Sequence, residues 1–314
     1  MPGNLSLKLP IKLIAVRRFL QLLCLLPWAV LSHGQPGVSN PSVPRPGVPG
    51  LDMLSPAQAQ ALVARALSTE LRTAQDGNHP MRYLMRKTSP RLTSTKEIVE
   101  TRDGAVARLL SIGDKPLSQA DEQKEQARLS ALAANPGLQR HRKQNEDEDL
   151  GLVLKLLRML PNAFVYQSTG AGADARSGGR IQKFTFKPNP GFSPPDYESQ
   201  ALTSMTGELW IDTTQERVTR LEGHLQQDTD YGWGILGKLN KGGWIVIEQA
   251  DVGGRQWRIV HVRMEMSLRI LFKTRYFDTD EQMTRYSPVP AGLDYRQAIE
   301  MLRAGPAAPP QNGR

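Results

Sequence analysis

The sequence has few of the residues on which metal, redox and acyl-transfer sites depend. It contains one cysteine, Cys24, and five histidines among 314 residues. None of the motifs H-E-x-x-H, C-x-x-C and G-x-S-x-G occurs in it. We therefore expect a protein that is not an enzyme, with no catalytic residue, no cofactor, no metal site and no disulfide.

Acidic residues are absent from the first 34 positions, and this accounts for part of the positive charge of the chain. The formal net charge is +9, but Lys8, Lys12, Arg17 and Arg18 all precede residue 34. The remainder carries an excess of only about five positive charges. Such a mild excess does not predict a surface for polyanions, so we expect no nucleic-acid partner.

The apolar segment Phe19–Leu31 is too short to span a membrane. It has 13 residues, whereas a spanning helix needs ~20. Basic residues precede it and small residues follow it, which is typical of a secretory signal over residues 1–34, cleaved after Gly34. A membrane anchor that escapes cleavage is the alternative. We expect a periplasmic protein, without lipidation at Cys24.

Proline and glycine make up half of residues 35–50, and these residues therefore predict a semi-extended tether. Residues 304–314, at the end of the chain, have the same composition and predict a disordered tail. Between them we expect one domain over residues 51–303.

Three helices are predicted before Pro161. Ser55-Pro56 supplies an N-cap and a first helical residue for the first of them. The second covers the segment Ser118–Asn135, and the third runs over Glu146–Leu160 and ends at the proline. The charged residues 139–149 are interpreted as a solvated connection that leads into the third helix.

Short β-prone segments separated by turn residues follow Pro161, and others precede residue 112, where Asp103-Gly104 predicts a hairpin. Because no helical pattern separates the later segments, they predict an antiparallel meander. The expected fold class is α+β, a curved antiparallel sheet (half-barrel) wrapped around or packed on helices. The proline-rich residues 187–199 are expected to form a loop.

Glycines between Gly232 and Lys238 match both G-x-G-x-x-G and most of a phosphate-binding loop. A phosphate loop must open a helix, but Gly242 and Gly243 follow within five residues of Lys238, and two glycines disfavour a helix. A β-prone segment then begins at Trp244. We therefore interpret this segment as a connection between strands and expect no nucleotide partner.

The clearest periodicity in the sequence is a stripe of alternating apolar residues, which continues to Phe272. One thirteen-residue strand or two strands with a turn near Ser267 would both explain it. The stripe can be ordinary core, or part of it can line a site for an acyl chain. Its members are Val260, Val262, Met264, Met266, Leu268, Ile270 and Phe272.

The order of elements resembles the periplasmic lipoprotein-carrier superfamily, whose members include the LolA- and LolB-like proteins. The similar segments are Gly207–Leu225, Gly232–Gly243, Trp257 and Leu271–Thr274. The resemblance implies an incomplete antiparallel barrel around helices, with acyl chains held in the hollow. The helices over residues 118–160 depart from it and are interpreted as an insertion.

The leading hypothesis is a secreted protein that binds a lipid or a lipoprotein acyl chain. The residues expected to line the site are the stripe itself together with Leu221, Leu225, Trp210 and Trp244. The alternative is an envelope module that docks or senses another protein with the same sheet. An enzyme is the third hypothesis, and a convergent cluster of carboxylates or histidines inside the hollow would favour it. His224 and His261 are expected on the solvent side.

Overall fold

The computed structural model describes residues 53–174, 179–231, 237–270 and 273–305. The predicted signal, the whole tether and nearly all of the tail lie outside these residues. Within them the chain forms four α-helices and one 3-10 helix. The α-helices are α1 (Pro56–Ala74), α2 (Gln119–Ala134), α3 (Pro136–Ala163) and α4 (Tyr295–Arg303), and the 3-10 helix is Glu198–Ser204.

All described strands belong to one sheet of thirteen, in which every pairing is antiparallel. The order across the sheet is β4-β3-β2-β1-β13-β12-β11-β8-β7-β6-β5, with β10 between β12 and β9. The sheet is curved and open, which confirms the predicted fold class. The strands are β1 (Met81–Thr88), β2 (Thr93–Val99), β3 (Val106–Ile112), β4 (Lys115–Pro116), β5 (Phe164–Ala173), β6 (Arg180–Pro188), β7 (Met205–Asp212), β8 (Arg217–Leu225), β9 (Thr229–Tyr231), β10 (Gly237–Leu239), β11 (Trp244–Asp251), β12 (Trp257–Ile270) and β13 (Lys273–Pro288).

Helix α1 begins where the sequence predicts. The Ser55 side chain accepts a hydrogen bond from the Gln58 backbone, and the Gln58 side chain accepts one from the Ser55 backbone, which completes a capping box. Its buried positions recur at helical spacing and pack on β5 to β8 and on the last turns of α3. We call this covered side of the sheet the inner face.

Two predictions about α3 are wrong. Residues 139–149 are not a solvated connection, and the helix does not end before Pro161: it runs for 28 residues from Pro136 to Ala163. The Asn135 side chain accepts hydrogen bonds from two backbone groups of the first turn, and a proline at the first helical position costs no hydrogen bond. The same Asn-Pro pair that ends α2 therefore also starts α3. Pro161 lies in the last turn, where it removes one backbone donor from the helix without ending it.

The two edges of the sheet differ in whether other groups bond to their backbone. Along the β3 edge, side chains from the helices bond to backbone groups between positions 103 and 109, so this edge cannot pair with another strand. The four side chains that do so are Glu125, Arg128, Gln139 and Glu146. At the other edge, β5 pairs within the described chain only with β6.

Helix α1 is fixed to the inner face by a buried ion pair. Both Glu70 oxygens accept hydrogen bonds from the Arg217 guanidinium at 2.9 Å, and one also accepts from the Val218 backbone. Glu70 and Arg217 are 7% and 6% exposed. The Arg217 guanidinium also lies over the Trp257 ring, 5.5 Å from its centroid. One carboxylate therefore joins α1 to the middle of the sheet.

We predict that Glu70→Ala lowers the free energy of unfolding by about 3–5 kcal/mol, because it leaves the Arg217 charge buried without a counter-ion. Glu216→Ala is the matched control: Glu216 pairs with Arg65 of the same helix, but that pair is largely exposed, so its loss should cost at most about 1 kcal/mol. Urea denaturation of the three proteins measures both effects. Equal losses for the two variants would contradict the role assigned to the buried pair.

Candidate functional site

The apolar stripe lies on one continuous strand, β12, so the predicted alternative of a turn near Ser267 is wrong. Most of its members are core residues. Val262, Met264, Met266 and Leu268 are 6%, 0%, 3% and 0% exposed. The stripe is open only at its ends, where Val260 and Ile270 are half-buried. Phe272 lies outside the described residues.

The other residues expected to line the site divide between the two faces. Leu221 and Leu225 lie on the inner face and pack in its core. Trp210 lies on the outer face, where Lys183 Nζ is 3.9 Å from its ring centroid and its Nε1 donates to Glu208. Trp244 is also on that face, under the Arg263 guanidinium.

The expectation that these two tryptophans line the hollow is therefore wrong. In each strand the neighbouring aliphatic residues take the inner positions, Leu209 and Ile211 around Trp210 and Ile245 after Trp244. Because side chains alternate along a strand, the tryptophans must point the other way, and cations cover their rings.

Helix α3 covers the stripe loosely. Of its 28 residues, only Gln139, Leu154 and Ala163 are buried. Leu152 and Leu156 pack on the core beneath them but stay half-buried, and Leu150 and Val153 are 38% and 37% exposed. A helix with so few buried residues can separate from the sheet at a small cost in lost contacts.

Beside the stripe, the inner face carries charge. Strand pairing places Glu281 of β13 directly opposite Val262, and Lys87 of β1 opposite Glu281. Lys87 Nζ is 2.7 Å from Glu281 Oε1, and Glu281 is 3% exposed. Burial raises the pKa of the Glu281 carboxyl, against the nearby Lys87 charge, which lowers it. The apolar half of the inner face thus ends at a buried ion pair.

One row further, Lys96 of β2 lies opposite Met85, which lies opposite Met283. Lys96 is held by the pairing of its strand with β1 and β3, but its ammonium group forms no hydrogen bond or ion pair with any described residue. Burial lowers its pKa to about 8, and the nearby charge of Arg128 acts in the same direction. A lysine held in this way loses part of its hydration and receives no counter-ion in return.

Arg142 of α3 lies near Lys96, and its positive charge contributes to the lowered pKa of the lysine. Most hydrogen-bond donors of the Arg142 guanidinium also lack an acceptor among the described residues. Within the described part of the chain the guanidinium of Arg142 makes one hydrogen bond, to the Ala105 carbonyl, which is long at 3.5 Å, and its Nε is buried without a described acceptor. Burial lowers its pKa, and the charge of Arg128 adds to this. Nearby Glu146 accepts from the Ala105 backbone instead. We call Lys87, Lys96, Arg142, Glu146 and Glu281 the inner charged cluster.

Nothing in the sequence motifs singled out the inner charged cluster. The signal that could have found it is strand parity: Lys87 follows Met81, Tyr83 and Met85 at alternate positions, and Lys96 precedes Ile98 in the same way. A lysine at an apolar position of a strand indicates a buried cation. The pairing of these strands, which brings the two lysines together, could not be read from the sequence.

His224 and His261 lie on the outer face, as expected. His261 is held between Glu248, 3.3 Å away, and Asp280, 3.1 Å away, and His224 bonds to Glu222. Within the described ranges, no group of three His, Cys, Asp or Glu side chains could hold a metal ion.

The segment with the nucleotide-loop motif connects two strands. Gly232 and Gly234 lie outside the described residues, but Gly237 and Lys238 belong to β10, which pairs with β9 and β12. Lys238 Nζ bonds to Asp228 and lies 3.4 Å from Asp230. Since a strand occupies the position where a phosphate loop needs a helix, the interpretation as a strand connection is confirmed.

A separate cavity of about 670 Å³ lies beside the first turns of α3, near the turn between β2 and β3. Three cations and three carboxylates line it, so it has no net charge with which to select a ligand. They are Arg102, Arg140, Lys143, Asp103, Asp147 and Glu148. We do not assign a function to it.

No protein-family model matches the chain, and neither the curated proteins nor the solved structures compared with it give a match. The resemblance to lipoprotein carriers therefore stays an interpretation of the sequence. Among the helices that the structure describes, none is both long and apolar enough to cross a membrane.

We predict that Lys96→Met stabilises the protein at neutral pH. The pKa of Lys96 is lowered from 10.5 to about 8, so the folded state disfavours the charged form. Its cost is full below pH 8 and disappears as the pH rises from 8 towards 10.5. At pH 7 the variant should gain on the order of 1–2 kcal/mol in free energy of unfolding, and the gain should shrink above pH 8.

Denaturant unfolding of wild type and variant at several pH values measures this difference. Lys115→Met, at an exposed lysine of β4, controls for the loss of one surface charge and should change stability little. A destabilised Lys96→Met protein at pH 7 would show that Lys96 is compensated in the fold after all.

Proposed function

We propose that the protein is a secreted, periplasmic, non-enzymatic binding protein that holds a lipid or lipoprotein acyl chain between α3 and the inner face. The observation that carries this proposal is the loose cover: a 28-residue helix with three buried residues lies over a continuous apolar face. The signal-like residues 1–34 support secretion, and the superfamily resemblance supports the ligand class.

The proposed site uses α3 as a lid. In the described state the helix contacts the apolar face through Leu152 and Leu156, and burial of such side chains is worth a few kcal/mol at most. An acyl chain that replaced these contacts would bury the same area against Met264 and Met266. Methionine suits this exchange because its unbranched side chain adapts to different neighbours.

The ends of the stripe are where a chain would enter. Val260 and Ile270 are half-buried, and Phe277 on the neighbouring strand packs only partly against the same core. The fully buried centre of the stripe then becomes accessible only when the lid moves. Binding is therefore expected to follow opening of α3 and to be limited by it.

Native mass spectrometry of the gently purified protein, with extraction of bound lipid, tests this function. We expect an apolar ligand that exchanges with added fatty acid, and faster hydrogen exchange in the middle of α3 when the ligand binds, with α1 unchanged. Leu152→Gln should raise the association rate severalfold because it weakens the lid contact. Leu138→Gln, at a half-exposed position of the same helix, is the control and should leave the rate unchanged.

Absence of any bound or exchangeable apolar ligand would contradict the proposed function. If a ligand binds but exchange in α3 and α1 changes equally, the ligand does not enter under the lid.

A second candidate, an envelope protein-interaction module, is favoured by the difference between the sheet edges. The β3 edge is closed by helix side chains, whereas β5 offers ten residues that pair on one side only within the described chain. An extended segment of a partner could add to such an edge through backbone hydrogen bonds. Val165 of β5 is 42% exposed, so the edge also has an apolar contact to offer.

For this candidate we predict that Val165→Lys reduces capture of a partner from an envelope extract, because a lysine on an edge strand opposes pairing. Ile112→Lys, on the closed edge and 38% exposed, should leave capture unchanged. Equal capture by wild type and both variants would exclude the β5 edge as the docking surface.

A further inference from the structure

Charge in the inner charged cluster does not balance. Two of the cations near Lys96 have a counter-ion: Lys87 pairs with Glu281, and Arg128 of α2 pairs with Glu125 at 2.7 Å. Lys96 and Arg142 have no carboxylate within ion-pair distance among the described residues. Glu146 acts on Arg142 only from beyond ion-pair distance, so the cluster holds three cations against two carboxylates, an excess of about one positive charge in a partly buried site.

Such an arrangement is costly unless something else supplies the negative charge. Arg142 has five N–H donors, of which one makes a long hydrogen bond and the buried Nε makes none. The Lys96 ammonium has three donors and no described acceptor. Donors of this kind, held by a strand and a helix rather than by loops, form a preorganised site for an anion.

The position of these donors decides what kind of anion fits. Lys96 lies in the row of Met85 and Met283, and the neighbouring row runs from Lys87 through Glu281 to Val262 on the stripe. Adjacent strands are ~4.8 Å apart, so Lys96 on β2 lies roughly 14 Å across the sheet from β12, three strand spacings away. A ligand that reached both regions would need a charged end and a long apolar part.

We propose that the ligand of the inner face is an amphiphile with an anionic oxygen headgroup, bound by Lys96 and Arg142, whose hydrocarbon chain lies along the stripe under α3. This rests on the proposed function and specifies its ligand class. Carboxylate and phosphate share the chemistry that an ammonium and a guanidinium recognise. The headgroup fixes the orientation of the chain, and the apolar face supplies most of the binding area.

Binding of palmitate and of palmityl alcohol, which have chains of equal length, to the full-length protein tests the proposal. Wild type should prefer palmitate about tenfold, since a hydrogen bond to a charged group contributes that much. Lys96→Met should lose this preference and bind the alcohol as wild type does. Lys96→Arg should keep the preference. Inorganic phosphate alone serves as the probe for a free anion.

The dependence on pH gives a second readout. The charged groups that act on Lys96 come from all the elements packed around it: Arg128 and Glu125 of α2, Lys87 of β1, Arg142 of α3 and Glu281 of β13. Since the pKa of Lys96 is about 8, palmitate affinity should fall as the pH rises through this value in wild type. It should not fall in Lys96→Arg.

The outcomes distinguish the claim that the protein binds an apolar ligand from the claim that Lys96 and Arg142 bind an anionic headgroup. If neither amphiphile binds wild type, the proposed function is wrong. If both bind equally and Lys96→Met has no effect, apolar binding stands and the anionic headgroup is wrong. If inorganic phosphate binds as tightly as palmitate, the cluster is a site for a free anion and the amphiphile is excluded.

Discussion

The attachment of α1 and α3 to the inner face is the constraint on which the rest of the structure depends. A curved sheet of thirteen strands exposes one apolar side, and that side must be covered if the protein is to remain in solution. The buried pair of Glu70 and Arg217 fixes α1 over β8, and aliphatic residues of α1 fill the core around it. Where α1 ends, the 3-10 helix contributes Ala201 to the core and α3 provides the rest of the helical cover, but the packing of α3 is much weaker.

This difference in cover divides the inner face into parts with different physical roles. Under α1 the side chains are buried by a helix that is both capped and ion-paired, so this part is structural. Under the middle of α3 the sheet is just as apolar, but the helix above it buries little. Beyond that, on β13, β1 and β2, charged side chains lie among the apolar ones of the same face. The inner face thus passes from a part held by α1, through a part that α3 covers loosely, to a part with buried charge. A ligand with one apolar end and one charged end needs the last two parts side by side.

Much of the fold could be predicted from the sequence because local signals and tertiary structure agree. The cap at Ser55, the turn at Asp103-Gly104 and the alternation along β12 all lie where the pattern indicates. The first half of α3 could not be predicted, since residues 139–149 have no apolar stripe. Their helix depends on its cap and on tertiary bonds such as that of Gln139 to the Asp103 carbonyl.

The candidate site was harder to predict for the same reason: its residues are decided by pairing between distant strands. Trp210 could have been placed on the outer face from its neighbours Leu209 and Ile211, which take the inner positions of the strand. Lys96 carries no motif at all, and it becomes notable only when β1 and α3 bring Lys87 and Arg142 beside it. Elsewhere in the chain, local sequence signals and tertiary structure agree. A partly buried cation without an ion-pair partner is an exception to that agreement. Because such departures concentrate at functional sites, the unbalanced charge and the loose helix above the adjoining apolar face are best explained together, by one ligand that completes both.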